Sequence, residues 1–374
     1  MIKEYAKQNK EAALQTIREL CAIPAPSLKE KERAEYCKAW LEKVGAKGVY
    51  IDEVYNTIFP INCEGSNEIT VLAAHTDTVF PDLTPYPFKE DETTMYAPGI
   101  GDDTANLVSL LMVAKYFVEN KIQPKKGILF VCNAAEEGLG NLVGVRQLMK
   151  EYAGRIKQFV SFDANIGVLY DIPVGSHRYN VEVKTEGGHS FARFGNRNSI
   201  HALAEMITEI YKIEVPKKEK SVTTYNVGIV EGGTSVNTIA QSAKMLCEYR
   251  SNDRECLAIM QQKFEKIFEN ARNEKTEVFV EKIGDRPCKG EVDETQIERL
   301  VEAYAKAVKE TNGQEIKRTS ASTDSNIPLS LGVPSVTVGA CIGKGEHTRE
   351  ESIQKDAVQT SIEIGIRMML DIID

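Results

Sequence analysis

The sequence predicts an α/β protein in which helices cover a mostly parallel sheet and a smaller α+β unit interrupts the chain. Short apolar runs of strand length alternate with amphipathic helical segments towards both ends of the chain, whereas the middle shows alternating, half-exposed strands. We expect the main domain over residues 1–175, an inserted unit over 176–286 and the rest of the main domain over 287–374.

The first part of the main domain is predicted to contain two kinds of element in alternation. Ser27 followed by Glu30 fits a capping box, which predicts a helix that opens there and ends at Gly45. Apolar runs and helical periodicity then predict a strand over 69–74, a helix over 106–120, a strand over 127–133, a helix over 142–152 and a strand over 159–162.

The inserted unit shows the order strand, helix, strand, strand, helix, strand, which is typical of a ferredoxin-like α+β sandwich. Its predicted elements cover 179–184, 199–213, 223–230, 243–249, 253–274 and 277–283. From residue 288 the first pattern resumes, with a helix over 294–311, a strand over 335–340 and a last helix from 352 onward.

Composition narrows the class of protein. The 374 residues carry 46 basic and 55 acidic side chains, a net charge of −9, and lack a basic block, so we expect no nucleic acid partner. No window approaches the roughly 20 apolar residues of a membrane span. The eight cysteines are scattered without a C-x-x-C pair, which predicts buried reduced thiols and a reducing compartment. A charged amphipathic stretch runs from Ile2 to Leu20, so we expect a cytoplasmic protein with no cleaved leader.

Acidic and histidine residues follow several of the predicted buried strands. His75 and Asp77 follow the first, the pair Glu136-Glu137 follows the second, and Asp163 follows the third. His347 lies in a loop after the strand near the end of the chain. Because ligands of open parallel sheets bind at the carboxyl ends of the strands, these side chains could form one site.

Each of these pieces also has an ordinary structural interpretation. The aspartate of His75-Thr76-Asp77 could belong to a turn beside a structural histidine, and Glu136-Glu137 could lie in a solvated loop. Adjacent glutamates at the end of a buried strand are unfavourable unless their charge is neutralised. Because the two side chains can face different directions, one could bind a metal while the other contacts a bound water.

The segment that precedes the 106–120 helix, Gly-Ile-Gly-Asp102-Asp103-Thr104, has several interpretations. Its aspartates could cap the helix. A dinucleotide loop does not fit, because Thr104 occupies the place of the third glycine and the acids would repel a pyrophosphate. Two carboxylates at a helix start suit a cation if other ligands converge there.

The ordered series His-x-Asp, Gly-Asp-Asp, Glu-Glu, Asp, inserted unit and His resembles the M20 metallopeptidases, two-metal exopeptidases and deacylases that include peptidase T. The resemblance covers nearly the whole chain and implies a di-metal hydrolase domain with a lid. It implies that Asp77 orients the first histidine and that Glu136 is the general base. It also implies a first metal bound by His75 and Asp163, a second bound by Glu137 and His347, and Asp102 as the bridge between them.

The family pattern at the bridging aspartate is Asp-x-Lys, and this places Asp102 rather than Asp103 at the bridge. Thr104 departs from the pattern, since lysine is usual there. In the lid, the resemblance implies substrate contacts for His189, Asn237 and Arg250. The remaining histidines, His177 and His201, match nothing functional and are expected to be structural.

The resemblance implies an exopeptidase that hydrolyses di- or tripeptides with water activated by two metals, most simply zinc, with cobalt or manganese as alternatives. It also implies a homodimer formed through the lid. An N-acyl amino acid deacylase with the same site is the closest alternative, and a non-hydrolytic metal-containing binding protein is an alternative of another class. Serine hydrolase and His-Glu-x-x-His zinc chemistry lack their motifs.

Overall fold

The computed structural model describes residues 1–373. Contacts between Cα atoms divide the chain into two units: the first comprises Met1–Pro173 and the chain from Gly290 onward, and the second comprises Val174–Lys289. The sequence predicts breaks after residues 175 and 286, and the structure changes unit after Pro173 and after Lys289.

The helices share amphipathic or fully apolar character. They are α1 (Ile2–Cys21), α2 (Lys31–Lys43), α3 (Asn106–Glu119), α4 (Val143–Glu151), α5 (Ser199–Ile210), α6 (Arg254–Asn270), α7 (Glu294–Asn312), α8 (Asn326–Ser330) and α9 (Ala357–Ile373). Among residues 1–373, none combines the length and apolar character that crossing a membrane requires.

The strands are short in the first unit and longer in the second. They are β1 (Tyr50–Ile51), β2 (Thr57–Ile61), β3 (Ile69–His75), β4 (Lys89–Glu90), β5 (Thr94–Tyr96), β6 (Gly127–Asn133), β7 (Ile156–Phe162), β8 (Val168–Pro173), β9 (Gly175–Lys184), β10 (Gly188–His189), β11 (Thr223–Gly232), β12 (Thr238–Ile239), β13 (Ser242–Ser251), β14 (Glu277–Arg286), β15 (Lys317–Ala321), β16 (Ser335–Val338), β17 (Gly343–Lys344) and β18 (Ser352–Gln354).

The first unit is an α/β domain built on an eight-stranded sheet with the order β1-β2-β6-β3-β7-β16-β8-β15. Its central strands β6, β3, β7 and β16 are parallel, as predicted, while β1, β2 and the contact between β16 and β8 are antiparallel. Strands β3 and β6 are buried along their whole length. Burial on both faces explains why they are continuous apolar runs in the sequence.

Apolar side chains pack on both faces of this sheet. One cluster joins it to α1, α3, α7 and α9, with α3 buried almost throughout. The other joins it to α4 and α8. Such two-sided cover leaves the carboxyl ends of the central strands as the natural place for polar groups.

The second unit is an α+β sandwich, as the sequence predicts. Its antiparallel sheet has the order β11-β13-β9-β14, and α5 and α6 pack on one face of it. A small ladder joins β10 to β12, in which His189 lies opposite Thr238.

The capping-box prediction is wrong. Helix α2 begins at Lys31, and the residue that caps it, Glu30, makes no side-chain capping bond. Ser27 lies outside the helix because Leu28 adopts a left-handed backbone conformation with φ 70°. Both polar side chains instead bind distant parts of the first unit.

Candidate metal centre

Three parallel strands deliver polar side chains to one edge of the main sheet. His75 is the last residue of β3 and lies opposite Asn133, the last residue of β6. Glu136 follows β6 after two alanines, and Asp163 directly follows β7. Because β6, β3 and β7 are neighbours and parallel, their carboxyl ends meet at this edge.

The structure brings the predicted metal-ligating residues of the first unit together in three overlapping groups. Within each group, one potential ligand atom of every residue lies within 4.8 Å of the others. The groups are His75, Asp102 and Asp163; Asp102, Glu137 and His347; and His75, Glu136 and Glu137.

Asp102 belongs to two of these groups and faces both histidines. Its Oδ1 lies 3.0 Å from Nε2 of His75, and its Oδ2 lies 3.1 Å from Nε2 of His347. The same His347 nitrogen is 3.3 Å from Oε1 of Glu137. One carboxylate therefore stands between two clusters of donor atoms, as a bridging ligand must.

The electrostatics of this cluster favour positive charge. Burial and the nearby Asp102 raise the pKa of Glu137 to about 7, and burial with the charge of Asp103 raises that of Asp163 well above its usual range. Hydrogen bonds to Asp102 and Glu137 raise the pKa of His347 to about 10. Clustered carboxylates with raised pKa values keep their protons near neutral pH, and a divalent cation that binds there would displace these protons.

The donor set fits divalent cations. Each of the two groups that share Asp102 offers one imidazole nitrogen and carboxylate oxygens. Zinc, cobalt and manganese accept such mixed nitrogen and oxygen sets, and geometry and supply decide among them.

Asp77 contacts the backbone of the two glutamates and the ring of His75. Its Oδ1 accepts the backbone N–H of Glu136 (3.0 Å), and its Oδ2 accepts that of Glu137 (2.9 Å). Its Oδ1 also lies 3.3 Å from Nδ1 of His75, whose ring nitrogen is 3.1 Å from the Asp77 carbonyl oxygen. When one ring nitrogen of a histidine binds a metal, a hydrogen bond from the other ring nitrogen to an oxygen fixes the orientation of the ring.

A buried glutamate that the sequence reasoning missed holds the Asp102 loop. Oε1 of Glu351 accepts the N–H groups of Gly101 and Asp102, both at 2.7 Å, and Oε2 accepts that of Gly99 at 2.7 Å. The available signal was its position four residues after His347, directly before the partly buried strand β18.

Thr104, which stands where the resembling family usually has lysine, contacts Arg33, a second residue that the sequence reasoning missed. The fully buried Arg33 donates from Nη1 to Thr104 Oγ1 (3.2 Å) and to the Thr76 carbonyl (3.0 Å). Its Nε donates to the Ile23 carbonyl (2.8 Å). A guanidinium thus links the segment of His75 to that of Asp102, and no local sequence pattern marks it.

The predicted substrate-contacting residues lie in the second unit. Exposed His189 accepts the N–H groups of Phe191 (3.3 Å) and Ala192 (3.4 Å) at Nδ1. The Asn237 carbonyl accepts the N–H of Ser190 at 3.0 Å, next to His189. The last of these contacts joins the segment of His189 to the segment of Asn237.

Arg250 and the two remaining histidines of this unit contact side chains within the unit. Arg250 donates to both oxygens of Glu248, at 2.8 and 3.0 Å. His177 pairs with the hydroxyl of Tyr249 (2.7 Å), and His201 lies exposed beside Arg197. Both histidines thus contact neighbouring side chains of the second unit.

Comparison with known proteins decides the family. A profile of peptidase family M20/M25/M40 matches residues 71–373. The chain belongs to that family. It is therefore a peptidase or amidohydrolase.

Three individual proteins illustrate the similarity of this M20 chain to others. The protein YqjE of Bacillus subtilis, whose function is uncharacterised, is 24% identical and the alignment covers 96% of this chain and 98% of that protein. The crystal structure of a tripeptidase from Staphylococcus aureus has a TM-score of 0.77 at 21% identity, over 98% of each chain. The N-acetyldiaminopimelate deacetylase of Bacillus pumilus is 24% identical over 63% of this chain and 65% of that protein.

Proposed function

We propose that the protein is a metal-dependent exopeptidase that hydrolyses di- and tripeptides. The observation that carries the proposal is the position of Asp102, whose two oxygens face His75 at 3.0 Å and His347 at 3.1 Å. A single carboxylate between two donor clusters can bind both cations of a two-metal hydrolase.

We assign the metal ligands in two sets. His75 and Asp163 would hold one cation, Glu137 and His347 the other, and Asp102 both. When bound, two such cations, with zinc as our first choice, polarise an amide carbonyl and lower the pKa of water.

Glu136 is the general base in this proposal. It is buried beside His75 and Glu137, and its backbone N–H is fixed by Asp77. Its carboxylate would accept a proton from the attacking water as the new C–O bond forms. It would then pass that proton to the departing amine nitrogen as the C–N bond breaks.

The second unit supplies the substrate contacts in this proposal. His189 would donate a hydrogen bond to the oxyanion, and Asn237 would contact the peptide backbone. Arg250 would bind the free carboxylate of a short peptide, for which a planar guanidinium is suited. The bidentate contact with Glu248 already fixes the orientation of that guanidinium.

Two further proposals concern the setting of the enzyme. We expect a homodimer formed through the second unit. We also expect a reducing compartment, the cytoplasm, because all eight cysteines are free and buried. Gel filtration with light scattering tests the dimer.

An N-acyl amino acid deacylase is the second candidate, and the similarity to a deacetylase over 63% of the chain favours it. Both reactions break an amide bond and would use the same groups. Steady-state assays of tripeptides against N-acetyl amino acids, each with added zinc, cobalt or manganese, distinguish them. Higher kcat/KM for the tripeptide supports our proposal, and higher kcat/KM for the acyl compound replaces it with the deacylase.

A further inference from the structure

The connector between α1 and α2, residues 22–30, contacts the loop that carries Glu136 and Glu137. We propose that Ser27 and Glu30 in this connector are positioning residues for that pair of glutamates. The inference rests on the proposed function in which Glu136 is the base. The connector lies outside the residues that the family profile matches, 71–373.

Ser27 reaches the glutamate pair through Asp77. Its hydroxyl donates to Asp77 Oδ2 at 2.6 Å, and the same oxygen accepts the N–H of Glu137. The Ser27 hydroxyl also lies 3.1 Å from the Glu137 carbonyl oxygen. The Ser27 side chain therefore contacts both Asp77, which binds the backbone of the two glutamates, and the backbone of Glu137.

Glu30 holds the residue that precedes Glu136. Its buried Oε1 accepts the N–H of Ala135 at 3.0 Å and that of Leu28 at 2.7 Å. Ala135 has φ 59°, a left-handed conformation that is unfavourable for a residue with a Cβ. Such a conformation persists only where surrounding contacts impose it, and Glu30 provides one of these contacts.

The connector is itself anchored next to His75. The Thr78 N–H donates to the Ala25 carbonyl at 2.8 Å, and Pro26 pairs with Thr78 in a parallel bridge. The connector thus links the end of β3 to the loop after β6. This link fixes the separation between the segment of His75 and the segment of Glu136.

The chemistry explains why such a link matters. Glu136 and Glu137 are adjacent in sequence and are assigned different tasks, base and ligand, so a small rotation of their backbone would exchange or misdirect the two carboxylates. Losses of such supporting contacts around metal ligands typically cost about 10- to 100-fold in metal affinity or activity.

The test uses four variants of the full chain. Ser27→Ala and Glu30→Ala remove the contacts. Glu30→Gln keeps an amide oxygen that can accept both N–H groups, so we expect it to retain the wild-type behaviour. Ser330→Ala is the matched control, because its half-buried hydroxyl donates only to the Ile327 carbonyl at 2.7 Å.

Four quantities are measured for each variant: hydrogen exchange of the peptide spanning residues 135–140, cobalt(II) affinity by calorimetry, kcat and KM. We expect faster exchange in Ser27→Ala and Glu30→Ala, a loss of about tenfold in cobalt affinity and kcat, and little change in KM. Unchanged exchange and affinity in both variants, or equal losses in Ser330→Ala, would overturn the inference. If the wild type hydrolyses neither peptides nor acyl amino acids, the proposed function fails, and exchange and affinity alone decide the positioning role.

Discussion

Asp77 accepts the backbone N–H of Glu137 at 2.9 Å, and this contact joins the segment after β3 to the segment after β6 in the candidate metal centre. Asp77 lies two residues after His75, the last residue of β3, whereas Glu137 follows β6. The aspartate therefore orients a histidine on one side and a pair of glutamates on the other.

Asp77→Asn is expected to weaken divalent metal binding by about 10- to 100-fold. Both oxygens of Asp77 accept backbone N–H groups, so an amide would direct its NH₂ group at one of these donors. The matched control is Asp52→Asn, since Asp52 also accepts two backbone N–H groups, from Val54 and Asn56. Calorimetric titration with cobalt(II) checks this prediction, and equal affinities in the two variants would contradict it.

Glu136→Gln is expected to lower kcat by about 10²- to 10⁴-fold while metal content stays as in the wild type. Glutamine matches the shape of the side chain but cannot accept a proton from water. Metal analysis of the dialysed protein and initial rates on a tripeptide provide the measurement. A variant that keeps wild-type kcat would disprove the assignment of the base, and a variant that loses a metal would make Glu136 a ligand.

Arg33→Met is expected to lower the free energy of unfolding by about 3 kcal/mol. Removal of the guanidinium leaves the Ile23 and Thr76 carbonyls and the Thr104 hydroxyl without this buried donor. Arg299→Met on the exposed face of α7 is the control and should change the free energy by less than about 0.5 kcal/mol. Urea unfolding followed by circular dichroism measures both, and similar values for the two would be inconsistent with this role for Arg33.

The metal-free protein is expected to lose stability as the pH rises from about 5 to about 8. Burial, with the charge of a neighbouring carboxylate, raises the pKa of Glu30 and Glu351 to about 7. The same causes raise to about 8 the pKa of buried Asp324, which accepts a hydrogen bond from Nδ2 of Asn133 at 2.6 Å. In this window the unfolded chain has released protons that the folded chain still holds, so rising pH favours unfolding. His347, with its pKa raised to about 10, acts in the same direction above its ordinary value.

The lowered pKa of Asp77 acts outside this window, because its stabilising effect is lost only when the pH falls below the ordinary range of an aspartate. Urea titrations in a chelating buffer at three pH values test the prediction. A free energy of unfolding that stays level or increases from pH 5 to pH 8 would refute it.

Much of the main sheet could be predicted from the sequence because its central strands are buried on both faces. Strand β6 has the predicted bounds, and β3 extends only one residue further, to His75. The sequence reasoning missed β15 because it is a polar strand at the edge of the sheet, with Lys317 and Arg318 at its start. It also missed β8, which lies between β16 and β15 and whose apolar run is interrupted by Asp171. Edge strands lack the continuous apolar run that marks central ones.

The supporting residues of the site could not be predicted, because their partners are distant in the chain. Ser27 and Glu30 form a plausible local capping pattern, yet they contact residues 50 to 110 positions away. The same holds for Glu351, which binds the backbone of a loop about 250 residues earlier. Only the folded chain shows such contacts.

Titration of metal-free protein with zinc or cobalt, with tripeptide hydrolysis and bound metal measured on the same samples, tests the central proposal most directly. The position of Asp102 between His75 and His347 predicts that activity depends on the cation and reaches its maximum at two ions per chain. Full activity in the presence of a chelator, or at one ion per chain with no second binding event, would contradict the two-metal assignment.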